Sequence, residues 1–227
     1  MDSHATLDPE RRTQAERTAL SDARMLDAAV ALICENGTDG TTLKAVGERA
    51  GYSRGLASYR FGNKSGLFAF MIRSIGEKWI HELNRAVQHK VGLDAIKAAT
   101  DAHHAFITDG TDHIRAFYVL WFDSIGPDAE LKTLVANIHE RRRRDVGDWI
   151  RTGIRAGQLS DQVDVNGTAA QFCAAIIGIV YQWLVTPDNE LHIYRLHENL
   201  KVQTALALHT PTMTPSLSIN ALTESSV

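Results

Sequence analysis

An all-α fold is predicted for this 227-residue chain by three observations. Apolar residues recur at i, i+3, i+4 and i+7 in nearly every segment, the period of an amphipathic helix. Breaks fall at helical spacing, at Asn36-Gly37, Gly51, Gly92, Asp109-Gly110, Gly126-Pro127, Gly157 and Pro187-Asp188. No window shows the sustained two-residue alternation, bounded by turn signals, that a sheet requires.

Residues 1–16 are polar and charged and are expected to form a flexible arm. Leu26, Ala29, Val30 and Ile33 share one face of a first helix, with a stop at Asn36-Gly37. Leu43, Val46, Gly47 and Ala50 mark a short second helix, which Thr42 is placed to cap and Gly51 to end. Ser53 can cap a third over 54–61, and Asn63 a fourth over 64–88. Further helices are predicted over 93–108, 111–124, 128–156, 165–185 and 190–208, about nine in all. The Thr-, Ser- and Pro-rich tail 209–227 is expected to be disordered. The predicted organisation is an arm (1–16), a helix-turn-helix domain (17–68), a larger helical domain (69–208) and the tail (209–227).

Cys34 and Cys173, the two cysteines, each lie in an apolar periodic segment. They read as buried core thiols in a reducing compartment. Residues 1–17 lack the basic-then-apolar pattern of a secretory leader. The most apolar stretch, 172–185, looks too short for a bilayer and contains Gln182. A cytoplasmic protein without a membrane partner is the expectation.

The net charge of −3 argues against nucleic acid until its distribution is considered. Between residues 41 and 64, Lys44, Arg49, Arg54, Arg60 and Lys64 face Glu48 alone, a local footprint suited to phosphate. The same window holds the two short helices and the tight glycine turn of a unit that lays its second helix in the major groove. Leu43, Val46, Ala50, Ala57 and Phe61 are expected to face inward. Gly47 and Ala50 are small enough for the helix axes to cross closely. Arg54, Gly55, Ser58 and Tyr59 fall on the outer face. Arg54 can reach guanine N7 and O6, Gly55 lets the backbone approach the bases, and Ser58 can donate or accept. Tyr59, Arg60, Lys64 and the Thr42 hydroxyl suit phosphate oxygens, and Ser53 joins this DNA-facing set at the start of the second helix. A solvated pair of helices with incidental charge would share this spacing, which alone is a weak signal.

The stretch Met25-Leu-Asp-Ala-Ala-Val-Ala-Leu-Ile, through Asn36-Gly, Thr41-Thr-Leu and Glu48-Arg-Ala-Gly-Tyr-Ser-Arg-Gly to Ser58-Tyr-Arg-Phe-Gly-Asn-Lys with Leu67, resembles the tetracycline-repressor (TetR) family over about fifty ungapped residues. The resemblance implies a homodimer that binds a palindromic operator on double-stranded DNA and is released by a small molecule. It also implies that Arg54, Gly55 and Ser58 face bases while Thr42, Tyr59, Arg60 and Lys64 face phosphates. The family usually reads Leu-Tyr-Tyr-His-Phe where this chain has Ala57-Ser-Tyr-Arg-Phe. Arg60 in place of His keeps a phosphate donor and adds fixed charge, and Ser58 replaces a ring. Leu56 either touches a thymine methyl or packs.

In the larger domain, Ala169, Phe172, Cys173, Ile176, Ile177, Val180, Tyr181 and Leu184 form a wide stripe, and Ile193, Leu196 and Leu200 continue it. Two such helices from each of two copies would make a four-helix dimer interface. His103, His104, Phe106, Phe117, Tyr118, Trp121, Phe122 and Trp149 concentrate aromatic surface in the middle helices. Singly, each is best read as core. As a set, His103, His104, Tyr118, Trp121, Phe122 and Trp149, with Cys173, Ile177 and Tyr181, outline a candidate pocket for an apolar or aromatic effector. Phe68, Ile72 and Ile75 are candidate packing links between it and the reading head. Arg141 to Arg144 wrap around a helix and read as a solvated face.

No His-Glu-x-x-His, Cys-x-x-Cys, phosphate loop or Gly-x-Ser-x-Gly elbow occurs, and adjacent His103 and His104 diverge by about 100° on a helix, a poor chelate. No metal, cofactor or enzymatic activity is expected. The alternatives are a DNA-binding regulator controlled by a protein partner, or a helical scaffold or enzyme that does not bind DNA.

Overall fold

The structure is a computed structural model and describes residues 13–109 and 112–209. Among these there are nine helices and no strand. They are α1 (Gln14–Gly40), α2 (Leu43–Arg49), α3 (Arg54–Phe61), α4 (Lys64–Val87), α5 (Gly92–Thr108), α6 (Asp112–Asp123), α7 (Ala129–Arg155), α8 (Val165–Val185) and α9 (Glu190–His209). The all-α expectation holds. The described residues form two compact units, one from 13–81, 106–109 and 112–138, the other from 82–105 and 139–209.

In the first unit α1 packs on α2 and α6. Met25, Leu26, Ala29, Val30 and Ile33 are buried, as their period predicts. α1 starts earlier than expected. The Thr13 hydroxyl accepts from the Glu16 amide (3.2 Å), and the Glu16 carboxylate accepts from the Thr13 amide (2.7 Å). This capping box makes residues 14–16, assigned to the arm, helical. The rest of the expected arm and the tail beyond His209 lie outside the described residues. At the predicted stop, Gly37 takes φ 71° and breaks the helical run before a last turn to Gly40. Leu67, Phe68, Met71, Ile72 and Ile75 of α4 are buried, as are Phe117, Tyr118, Leu120 and Trp121 of α6. The first turn of α4 is tied to the start of α7, because Ser65 donates its hydroxyl to Asp128. Asp128 in turn caps α7 by accepting from the Glu130 and Leu131 amides (3.0 and 3.1 Å). These bonds hold the Asp128 carboxyl below the usual carboxylate range, the Ser65 hydroxyl contributing most.

In the second unit α8 packs on α9. The start of α5 meets α7 so closely that a Cβ on Gly153 would lie 2.6 Å from the Gly92 Cα. The core face of α8 comprises Ala169, Phe172, Ile179, Val180 and Trp183. Of the predicted stripe Ala169, Phe172 and Val180 are buried, together with Ile179 and Trp183, which it left out, while Tyr181 is 59% exposed. α8 is apolar on two faces, and periodicity cannot tell which one faces its own chain. The helix also begins seven residues before the stretch thought too short for a membrane. At 21 residues it is long and apolar enough to cross one by length and composition. Its Gln182 is no interruption, since the amide oxygen pairs with His192 Nε2 at 2.9 Å across the α8–α9 turn. Cys34 and Cys173 are free thiols and only half-buried, not fully buried as expected. Burial still pushes the Cys173 thiol up to about 11.

Candidate nucleic-acid interface

The Thr42 hydroxyl accepts from the Ala45 amide at 3.1 Å and starts α2. Ser53 does the same for α3, accepting from Leu56 at 3.2 Å. Both predicted caps are therefore in place, and each hydroxyl keeps its proton to donate outward. Gly51, at φ 78°, makes the turn between the helices. A Cβ on Gly47 would stand 3.0 Å from the Ser53 carbonyl oxygen, so α2 meets the start of α3 across a position with no side chain. Val46 and Ala57 are fully buried, and the Phe61 ring rests on Phe70 of α4 at 5.0 Å between centroids. With that side of α3 fixed inward, Arg54 and Gly55 are exposed, Tyr59 is 89% exposed and Ser58 half-buried. Leu56 is 38% exposed, so it stands at the rim of the head.

The basic residues divide by their partners. Arg49 forks onto Glu35 with two contacts of 2.6 Å. That fork holds the Glu35 carboxyl below the usual range. Arg60 forks onto Asp22, its Nε donating to Oδ1 at 2.7 Å and a terminal nitrogen to Oδ2. Lys44 and Glu48 stand 3.9 Å apart, and Lys64 and Asp39 4.0 Å. The Lys64 ammonium also lies over the Phe68 ring, 5.5 Å from its centroid. Among the described residues Arg54 has no acidic partner. Three of the four acids, Asp22, Glu35 and Asp39, come from α1. Sequence reading missed these pairs because their partners lie 14 to 38 residues apart, beyond any local pattern.

The residues proposed for an effector pocket divide between the two units. Tyr118 and Trp121 are buried in the first, in an aromatic cluster with Phe117 whose ring centroids are 5.0 to 6.1 Å apart, and Phe122 is half-buried there. In the second, His103 Nδ1 and His197 Nε2 are 3.0 Å apart and His197 Nδ1 lies 2.8 Å from the Ile193 carbonyl oxygen. The carbonyl can only accept, so His197 carries its proton on Nδ1, leaving Nε2 to accept from His103. His104 sets its ring edgewise to both Tyr194 and His197. His197 is the polar core residue that the sequence did not reveal; nothing in the pattern of α9 distinguishes it from a surface histidine. Burial pushes the His103 imidazole down to about 3 and lowers His197 as well. Trp149, Cys173 and Ile177 are half-buried in the second unit, and Tyr181 points outward. Of Arg141 to Arg144, three are exposed, and Arg142 pairs with Asp145 at 3.2 Å.

Residues 25–71, which include this whole head, match the family described as bacterial regulatory proteins, tetR family. The probable HTH-type transcriptional regulator ArpR of Pseudomonas putida is 26% identical over 191 residues, covering 79% of this chain and 87% of that protein. The HTH-type transcriptional regulator BetI of Paraburkholderia phymatum is 37% identical over 82 residues, 34% of this chain and 42% of BetI. Among solved structures, SmeT, the repressor of the Stenotrophomonas maltophilia multidrug efflux pump SmeDEF, superposes with a TM-score of 0.68 at 22% identity, over 86% of this chain and 95% of SmeT. A SmeT–triclosan complex gives 0.69 at 21% identity, over 86% and 97%. At such identities these two likenesses speak for the fold, while the head is matched in sequence as well. The head of this chain, residues 25–71, is thus similar in sequence to the tetR family of bacterial regulatory proteins.

Proposed function

We propose that this DNA-binding regulator is a repressor that holds a palindromic operator as a homodimer and leaves it when a small apolar or aromatic molecule binds. The observation that carries the reading is the outer face of α3, where Arg54 stands exposed, without an acid among the described residues, beside an open Gly55 and a solvent-facing Tyr59. In this reading Arg54, Gly55 and Ser58 meet base edges, and Thr42, Ser53, Tyr59 and Lys64 meet phosphates. Lys64 can do so because its pairing with Asp39 is loose and exposed. Arg60, the remaining phosphate candidate, is taken by Asp22.

Dimerisation through α8 and α9 is supported by the apolar side chains these helices leave in water, Tyr181, Val185, Leu191 and Leu206 each being more than half exposed. The outward face of α8 is then a partner surface, not a lipid-facing one. The effector reading is supported by the aromatic and histidine sets of the two units and by the triclosan-bound relative. A cytoplasmic regulator without catalysis agrees with relatives that carry the names of regulators.

Selection of bound DNA from a random pool tests the reading. An inverted repeat is expected, its half-sites centred about 34 Å apart or a multiple of that spacing. No enrichment, or enrichment of a single unrepeated site, would refute it. Thermal-shift measurements over a panel of hydrophobic compounds test the effector, with stabilisation and DNA release expected together.

A further inference from the structure

We infer that Asp22 of α1 is a positioning residue for DNA recognition, which withholds Arg60 from the phosphate backbone and so keeps non-specific binding weak. The inference rests on the DNA-binding reading above and goes beyond it, since the resemblance in sequence assigns Arg60 to phosphate.

The four ion pairs of the head are not equivalent. Lys44–Glu48 is a single contact of 3.9 Å, and Lys64 lies 4.0 Å from the Asp39 carboxylate while donating to the Asp39 carbonyl at 3.5 Å; the two acids are 62% and 111% exposed. A phosphate can replace such an acid at little cost, because the abandoned carboxylate is already in water. Glu35 makes two contacts with Arg49 but is half exposed, so it too can be left. The Asp22 side chain is 17% exposed, the least of the four, and both its oxygens are engaged by the Arg60 fork. Moving Arg60 to a phosphate would take from Asp22 the donor that both its oxygens share, at a greater cost than for the three more exposed acids. Bidentate geometry adds to the difference, since the phosphate would have to reproduce two parallel charge-assisted bonds. Arg60 therefore stays on Asp22 when the head meets DNA. There it braces the C-terminal half of α3 against α1, and backbone attraction falls to the more loosely held cations.

The test is the salt dependence of binding to a mixed-sequence duplex of about two helical turns, about 20 base pairs. Each phosphate contact contributes about 0.9 to the slope of log K against log salt. Arg60→Gln should leave the parent slope unchanged. Asp22→Asn should free the guanidinium and steepen the slope by about 0.9 per head, so that raising salt from about 50 to 200 mM weakens this variant about 3.5-fold more than the parent. The double variant should return to the parent slope, which a merely structural role for Asp22 would not produce. An Arg60→Gln slope shallower by about 0.9 would show that Arg60 is a phosphate ligand after all and overturn the inference. An unchanged slope in a folded Asp22→Asn would overturn it as well. If Asp22→Asn loses its helical circular dichroism, Arg60→Gln and the double variant decide. A parent that binds no duplex at any salt would defeat the DNA-binding reading itself, which sets that failure apart from the others.

Discussion

Gly55→Ala separates folding from recognition. Gly55 is the second residue of α3 and is exposed. A Cβ built there meets only the Ser53 Oγ, at 3.7 Å, an ordinary van der Waals contact. Nothing in the free protein has to move. The substitution then gains the helix preference of alanine over glycine, about 0.5–1 kcal/mol, towards the lower figure in a first turn. For a chain of this size that raises the melting temperature by about 1–4 °C. On DNA the balance reverses. If the backbone of α3 lies against base edges, the methyl group takes the space the bases need, and α3 must withdraw from its neighbouring contacts. A tenfold loss of affinity, about 1.4 kcal/mol, is the expected minimum. The assay pairs a thermal melt with an operator titration at fixed salt. Arg54→Ala serves as the control, lowering affinity for the selected site without raising the melting temperature. A Gly55→Ala protein that is more stable and binds the operator like its parent would refute the close approach of this backbone to the bases. One that is less stable would refute the local geometry of α3.

Two glycines of α7 should respond to alanine with opposite signs. A Cβ on Gly153 meets the Gly92 Cα at 2.6 Å and Leu159 Cδ1 at 2.9 Å, whereas one on Gly147 meets only the mobile end of Arg151 at 3.1 Å. Gly153→Ala should therefore lower stability by about 1–3 kcal/mol and Gly147→Ala leave it equal or slightly higher, as denaturant titrations at several protein concentrations can show. Acid should destabilise the chain before its carboxylates titrate. His103 is pushed down to about 3 and His197 also lowered, both by burial, so the unfolded chain binds protons there that the folded chain refuses. This stability is complete above about pH 6.5 and is lost as pH falls towards 3, with His104, Lys201 and Asp101 the neighbouring groups. His103→Asn should flatten the decline between about pH 6.5 and 4.5 in urea titrations, and an unaltered slope would remove His103 as its cause.

The reading head was legible because its signals are local. A side-chain oxygen three residues before the amide it accepts from leaves the same mark in any chain, and Thr42, Ser53 and Asn63 all cap where their positions predict. The capping box at Thr13 and Glu16 carries the same kind of mark, and it was hidden only because polar composition pointed to an arm. Legibility fails where the deciding partner is remote. That Arg60 is engaged, while Arg54 at the opposite end of α3 has no acid among the described residues, is illegible locally, because the partner of Arg60 is an aspartate 38 residues upstream. Composition treats the two arginines alike, yet the fold gives one to α1 and leaves the other exposed. Which residues of α8 face their own chain was illegible for a related reason. A helix apolar on two faces presents the same period whichever face is inward, and only packing against α9 puts Ile179 and Trp183 inside and Tyr181 outside. That outcome bears on function, because Tyr181 was expected in a pocket and stands instead on the face proposed to meet a second copy. With Arg60 held by Asp22, two heads on one operator would add the contacts of their more loosely held cations. The uncovered apolar side chains of α8 and α9 agree with the proposal that a second copy brings the second head.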